Sequence, residues 1–151
     1  MPCPPGRHDL RNGVAYSNSS VEQYRKVTVN SSSPLQLVIM LYDGALKFLE
    51  AARHAMTNDD LYHQNEYCKR AQDIVAELMS CLDMKQGGEV AQNLFALYTY
   101  VYEQIVAANI ADDSVGIERA QKVLSELRDS GVKVEASMRT GEPIPEVTDA
   151  A

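Results

Sequence analysis

Apolar residues recur three and four positions apart along four separate stretches of this chain, and that spacing constrains its fold more than any other feature. Such a period places apolar side chains along one side of an α-helix. Strand-like alternation is confined to Val27-Thr28-Val29, which precedes a serine-rich stretch. The sequence therefore predicts an all-α fold.

Capping signals set the expected limits of the helices. Ser33 and Pro34, with Gln36 three residues after the serine, are typical of a helix start, and this first helix is expected to run to about Thr57. The other three are expected from Asp60 to about Met84, from about Glu89 to Asn109, and from Ser114 until the pattern fades near Ser130-Gly131. Because every loop is short, neighbouring helices should be antiparallel, which predicts an up-down four-helix bundle over residues 34–134.

Two segments fall outside the predicted bundle. Residues 1–33 form an N-terminal arm that is flexible or partly helical, with a short helix allowed near residues 19–27. Residues 135–151 form an acidic, proline-containing tail without apolar periodicity, and we expect this tail to be disordered.

Charge and hydropathy limit the classes of function. The net charge is −7, and the body of the chain is acidic, which argues against binding nucleic acid or anionic lipid. The longest apolar run, Leu37 to Tyr42, is too short to insert into a membrane. The N-terminus does not resemble a signal peptide, and the three cysteines include no C-x-x-C pair. These features favour a cytoplasmic protein with reduced thiols.

The sequence offers no catalytic constellation. His8, His54 and His63 lack the helical spacing at which histidines and carboxylates bind metals in bundles. Nucleotide-binding and hydrolase motifs are also missing from the sequence. We therefore expect a binding protein that is not an enzyme and that has no cofactor, no metal and no catalytic residue.

Two of the predicted helices carry more apolar surface than one core seam needs. Beside its first apolar stripe, each has a second: Leu35, Ile39, Tyr42, Leu46 and Leu49 in the first helix, and Ala91, Phe95, Tyr98, Tyr102 and Val106 in the third. These stripes could be buried against two neighbouring helices, or part of them could form a groove for a partner's amphipathic helix. Tyrosine is suited to half-exposed surfaces and is enriched at interfaces, so Tyr42, Tyr98 and Tyr102 favour the groove.

Two short motifs carry a resemblance to a known family. Residues 40–45 read M-L-Y-D-G-A and residues 87–94 read G-G-E-V-A-Q-N-L, with Tyr24, Val27 and Ser33-Pro34 placed upstream at family spacing. From about Tyr24 to Val134 the chain resembles the flagellar secretion chaperones. It departs from them in the length of residues 1–18, and in having Ser130-Gly131 where members often carry an aromatic residue.

The resemblance implies a cytoplasmic four-helix bundle that binds the disordered C-terminal segment of flagellin. Such a protein prevents premature polymerisation and delivers flagellin to the type III export apparatus; an export-gate component and other flagellar regulators are further partners it allows. In the family, the N-terminal segment packs over part of the binding surface, so Tyr24 and Val27 are expected to act as a removable plug. The partner-binding residues are expected to be Tyr24, Val27, Tyr42, Leu46, Phe95, Tyr98 and Tyr102.

Two other interpretations remain open at this stage. One is a homo-oligomeric regulatory or interaction protein, in which the second stripes of neighbouring copies bury each other without binding flagellin. The other is a bundle that acts as an enzyme or carries a metal, for which inward-facing carboxylates or histidines would be needed. The sequence leaves the oligomeric state undetermined.

Overall fold

The chain is described by a computed structural model over residues 33–141, and this part of it forms four α-helices and no strand. The helices are α1 Pro34–Thr57, α2 Leu61–Ser80, α3 Gly88–Ala111 and α4 Ser114–Thr140. The prediction of an all-α fold is confirmed. The predictions for the N-terminal arm, including the short helix near 19–27, and for most of the acidic tail lie outside the described residues.

Each helix packs against the two helices that lie beside it around a ring. Thus α1 contacts α2 and α4, and α3 contacts the same two helices from the opposite side. Short turns join consecutive helices, so the bundle has the predicted antiparallel up-down arrangement. The largest side chains enclosed at its centre are Leu41, Leu49, Gln64, Ile74, Val75, Leu78, Tyr98, Val101, Ile105, Ile117 and Leu124.

The helices begin where their capping residues place them. The hydroxyl of Ser33 accepts from the backbone N–H of Gln36 at 3.2 Å, and the Gln36 side chain accepts from the backbone N–H of Ser33 at 3.3 Å. This reciprocal pair satisfies backbone donors that the first turn would otherwise leave free. Asp60 and Asp113 cap α2 and α4 through their carboxylates. The predicted start of α1 and its end at Thr57 are both confirmed.

The end of α2 comes earlier than the apolar pattern suggested. The helix stops at Ser80, four residues before Met84. Beyond it, the Asp83 carboxylate accepts from the backbone N–H groups of Lys85 and Gln86 at 3.1 and 3.0 Å. Local hydrogen bonds from an aspartate compete with helical ones, and here they build a turn instead.

The prediction that the last helix fades near Ser130-Gly131 is wrong, because α4 continues to Thr140. A Cβ at Gly131 would lie 3.2 Å from Cγ1 of Ile39, so the glycine allows α4 to pass close to α1. The helix ends at Gly141, whose φ of 78° is the left-handed conformation that glycine adopts without strain. Residues 135–140, expected to be part of a disordered tail, therefore belong to α4.

Polar side chains join α1 to α4 at regular intervals. We call this contact the α1/α4 seam, and its cross-helix hydrogen bonds are Gln36 to Glu135 at 2.6 Å, Arg128 to Asp43 at 2.5 Å, and Gln121 to Glu50 at 3.0 Å. On each helix the partners are spaced seven residues apart, which brings them back to the same side after two turns. The seam is thus closed on its outer side by a polar ladder.

Candidate peptide-binding groove

Helix α3 is apolar around most of its circumference. Of its 24 residues, only Glu89 and Glu103 carry a charge. A helix of this kind is normally enclosed on all sides, but within residues 33–141 only α2 and α4 lie directly beside α3. Large apolar side chains are consequently left exposed on it: Val90, Phe95, Leu97, Tyr100 and Ile110.

An open groove runs along the outer side of the contact between α2 and α3, and we call it the α2/α3 groove. It has a volume of about 670 Å³ and is lined by Ala76 and Met79 from α2, and by Thr99, Tyr102, Glu103, Val106, Ala107 and Ile110 from α3. Its size is within the range of sites that enclose most of a small ligand. Because the lining is mostly apolar and open at the surface, it could take a row of apolar side chains from a docking segment.

Two of the tyrosines predicted to bind a partner lie inside the bundle instead of at its surface. Tyr42 is 4% exposed and Tyr98 is 2% exposed. Their hydroxyl groups share a hydrogen bond of 2.7 Å, which joins α1 to α3 across the core. Burial raises the pKa of both phenols, and in Tyr98 the hydrogen bond to Tyr42 raises it further. The expectation that these two rings would be half-exposed is wrong, because the pair satisfies its own polar groups inside the core.

The other predicted residues of α3 lie on the groove side. Tyr102 is half-buried and lines the α2/α3 groove. Phe95 is 42% exposed and lies one turn before Thr99, whose hydroxyl donates to the Phe95 carbonyl at 2.8 Å. Phe95 therefore extends the apolar side of α3 beyond the groove toward the start of the helix.

The second stripe of α1 differs from that of α3. Leu46 is half-buried and packs against the core, and no large apolar side chain of α1 is among the exposed ones. The surplus apolar surface expected on both helices is therefore exposed on α3 only. Tyr24 and Val27, the expected removable plug, lie outside the described residues.

A polar cluster around the buried Gln64, which the sequence analysis missed, closes one end of the α2/α3 contact. Gln64 is 2% exposed, and its amide donates to the Asn109 carbonyl and side chain, both at 3.2 Å, and to the Asp112 carboxylate at 2.7 Å. The Asn109 amide in turn donates to Asn65 at 3.0 Å. The sequence did contain a signal for this cluster. Gln64 is a polar residue four before Cys68 and seven before Ala71, so it lies on the same apolar stripe of the helix.

The outer side of the α1/α2 contact is occupied by aromatic and polar side chains. Phe48 and Tyr67 stack with ring centroids 6.3 Å apart, and the Arg70 guanidinium lies 5.7 Å from the centre of the Phe48 ring. These contacts cover apolar surface that the equivalent position between α2 and α3 leaves open. A cavity of about 240 Å³ that the described residues form at one end of this contact is smaller than the α2/α3 groove and is lined in part by polar side chains.

Residues 33–141 lack the features of a metal site and of a membrane-spanning helix. No cluster of three or more histidines, cysteines or carboxylates suited to hold a metal occurs within residues 33–141. None of the four helices is both long and apolar enough to cross a membrane. Burial raises the pKa of the Cys68 thiol to about 11, whereas Cys81 is exposed.

The fold and the groove define a class: a four-helix bundle that presents an open apolar groove between two of its helices. The family described as flagellar protein FliS matches residues 16–136, and this chain belongs to that family. The resemblance found in the sequence motifs is thereby confirmed.

Curated relatives from several bacteria show the same similarity. The flagellar secretion chaperone FliS of Bacillus subtilis is 35% identical over 107 residues, covering 71% of this chain and 79% of the relative. FliS of Salmonella typhimurium is 34% identical over 120 residues, covering 76% and 89%. The flagellar secretion chaperone FliSB of Pseudomonas aeruginosa is 30% identical over 117 residues, covering 75% and 93%. These relatives are named as chaperones, which fits a protein that binds without catalysing a reaction.

Proposed function

We propose that this protein is a cytoplasmic flagellar export chaperone. It binds the disordered C-terminal segment of flagellin, prevents premature polymerisation and delivers flagellin to the type III export apparatus. The observation that carries the proposal is the α2/α3 groove, an apolar surface that the bundle itself leaves uncovered. Membership of a family whose relatives are named flagellar secretion chaperones supports it.

The mechanism is sequestration of an amphipathic segment. A segment that folds as a helix in the groove would place its apolar side against Met79, Tyr102 and Val106. The alanines in the lining, Ala76 and Ala107, leave room for a second backbone to approach. Burying apolar area contributes about 25 cal/mol per Å², and part of this offsets the entropy lost when the disordered segment becomes ordered.

The residues predicted from the sequence divide into two roles under this proposal. Phe95 and Tyr102 contact the peptide directly, because they are the ones on the groove side. Tyr42, Tyr98 and Leu46 act indirectly, by fixing the position of α3 relative to α1 from within and beside the core. Tyr24 and Val27 remain proposed as a plug that leaves the surface when flagellin binds.

Isothermal titration with a synthetic peptide of the C-terminal segment of the organism's flagellin tests the proposal. We expect a complex of one to one with a negative heat-capacity change, because binding buries apolar surface. Ile110→Gln should raise the Kd about tenfold, because it removes an apolar side chain that is 79% exposed in the free protein.

Val90→Gln is the matched control for this variant. Val90 is 68% exposed on the same helix, and the twenty residues that separate it from Ile110 place it about 30 Å away. Its Kd should equal that of the unaltered protein, and neither variant should change the melting temperature appreciably. No binding at tens of micromolar peptide would refute the proposal. An equal rise of the Kd in both variants would show that the peptide does not bind specifically in the α2/α3 groove.

Light scattering separates flagellin binding from the homo-oligomeric alternative. If the exposed apolar residues of α3 bury each other in a second copy, the mass should rise with protein concentration and Ile110→Gln should abolish the rise. A constant monomeric mass, together with peptide binding, would support the chaperone function.

A further inference from the structure

Glu103 is an unusual residue for the place it occupies. Among the described residues that line the α2/α3 groove, it is the only charged one. The other acid of α3, Glu89, lies in the first turn, where the helix dipole favours a negative charge. Glu103 lies well inside the helix, where the dipole gives no such advantage.

Within the described residues, no cation lies beside the Glu103 carboxylate. Positions three and four residues away on α3, where a helical ion pair would form, are Thr99, Tyr100, Val106 and Ala107. Nor does it form a hydrogen bond or ion pair with any side chain of residues 33–141. Glu50 and Glu135, by contrast, form ion pairs with Arg53 and Arg139.

A helix docked in the groove would take water away from this carboxylate. Covering an ionised group without a partner is costly, whereas covering it beside a cation is tolerated or favourable. The cost falls on every ligand that lacks a cation at this position, so the carboxylate discriminates between apolar helices that would otherwise fit equally well.

We propose that Glu103 is a specificity-determining residue of the groove, which selects an amphipathic helix carrying a lysine or arginine at the edge of its apolar side. This inference rests on the proposed function, because it describes the segment that the groove accepts. The ion pair forms at the rim of the groove, so it acts on the rate of association and on the salt dependence more than on the rate of dissociation.

Stopped-flow and equilibrium measurements with the flagellin peptide test this role in Glu103→Gln and Glu103→Lys. We expect Glu103→Gln to raise the Kd about three- to fivefold at low salt, and to weaken its dependence on salt concentration. Glu103→Lys should raise the Kd further, because attraction becomes repulsion. The matched control is Glu126→Gln on α4, which removes an exposed carboxylate of the same type away from the groove and should change neither quantity.

A double-mutant cycle identifies the responding cation. Each lysine and arginine of the peptide is replaced in turn by glutamine and titrated against the unaltered protein and Glu103→Gln. One replacement should weaken binding to the unaltered protein but leave binding to Glu103→Gln nearly unchanged. Replacing the same residue by glutamate should restore binding to Glu103→Lys.

The outcomes separate this inference from the function on which it rests. If the unaltered protein does not bind the peptide, the proposed function fails and the inference fails with it. If the peptide binds but Glu103→Gln binds equally or more tightly, the specificity role is refuted and the groove keeps its proposed function. If Glu126→Gln weakens binding as much as Glu103→Gln does, the effect is one of net charge and the inference is again refuted.

Discussion

The α1/α4 seam and the α2/α3 contact differ on their outer sides. Polar side chains cover the first, whereas the second is apolar and open. Three cross-helix hydrogen bonds at seven-residue intervals cover the outer side of the α1/α4 seam. Along the α2/α3 contact, the cross-helix hydrogen bonds of the described side chains lie together at one end, around Gln64 and Asn109. The rest of that contact is apolar, and its outer side is open.

The difference shows that apolar width alone does not make a groove. Both α1 and α3 carry two adjacent apolar stripes. On α1, however, the narrow polar strip contains Asp43 and Glu50, which reach partners on α4. On α3 the corresponding outer positions hold Val106, Ile110 and Glu103, which has no ion-pair partner within residues 33–141. Where the polar side chains of one helix pair with those of the next, the contact between the helices is covered. Where the outer side is apolar, the contact stays open to another chain.

The largest expected effect comes from comparing the core side and the groove side of α3. Tyr98→Ala should lower the free energy of unfolding by about 3–5 kcal/mol, because it empties a buried aromatic site and leaves the Tyr42 hydroxyl without its partner. Tyr102→Ala, on the half-buried groove side, should cost only about 1 kcal/mol but raise the Kd for the flagellin peptide about tenfold. Urea unfolding and titration calorimetry measure the two quantities.

Tyr98→Phe controls for the loss of volume in this comparison. It keeps the ring and removes the hydroxyl, so its cost should be well below that of Tyr98→Ala. If Tyr102→Ala lowers the free energy of unfolding as much as Tyr98→Ala does, Tyr102 is a core residue. This result would contradict its assignment to the groove side of α3.

The polar end of the α2/α3 contact gives a smaller effect. Gln64→Ala should lower the free energy of unfolding by about 1–3 kcal/mol, because it empties a buried site and removes the amide that donates to Asn109 and Asp112. Amide hydrogen exchange should become faster at the start of α2 and the end of α3, while exchange along the α1/α4 seam stays unchanged. Asn65→Ala, which removes only the exposed outer bond of the cluster, is the milder control. Faster exchange throughout the bundle would show that the two contacts are not independent.

The sequence was sufficient to predict the parts of the fold that depend on local chemistry. The capping box of Ser33 and Gln36, and the caps at Asp60 and Asp113, act within one turn and can be identified from residue type and spacing. Gly131 was interpreted as the end of a helix, but it is present because of a tertiary contact. It makes room for Ile39 of α1, and no pattern within α4 reveals this. The same limit applies to the end of α2, where the Asp83 turn replaces the last helical bonds.

The candidate site was predicted as a region but not residue by residue. Periodicity indicated the second stripe of α3, of which Tyr102 lines the groove and Phe95 is exposed one turn before the lining residue Thr99. Periodicity could not show that Tyr98 is buried whereas Phe95 and Tyr102 are not. All three lie on one wide apolar stripe, and which of its residues are buried depends on the position of the neighbouring helices. The inference from the tyrosine hydroxyls to a half-exposed surface was also wrong. The hydroxyls of Tyr42 and Tyr98 bond to each other inside the core and need no contact with water.

The smallest expected effect is a pH dependence at the carboxylate of Glu50, a residue of the α1/α4 seam. A hydrogen bond from Arg53, and a second from Gln121 across the seam, lower the pKa of Glu50 below its ordinary value of 4.5. The stabilisation is therefore fully present above pH 4.5 and is lost as the pH falls through the lower pKa of the folded state. The effect is small because the group is exposed and screened by salt. In Glu50→Gln this part of the acid dependence of the urea midpoint should vanish, whereas Glu126→Gln, away from the seam, should keep it. An NMR titration that places the pKa of Glu50 at or above 4.5 would show that the hydrogen bonds from Arg53 and Gln121 do not favour the charged carboxylate, and would contradict this prediction.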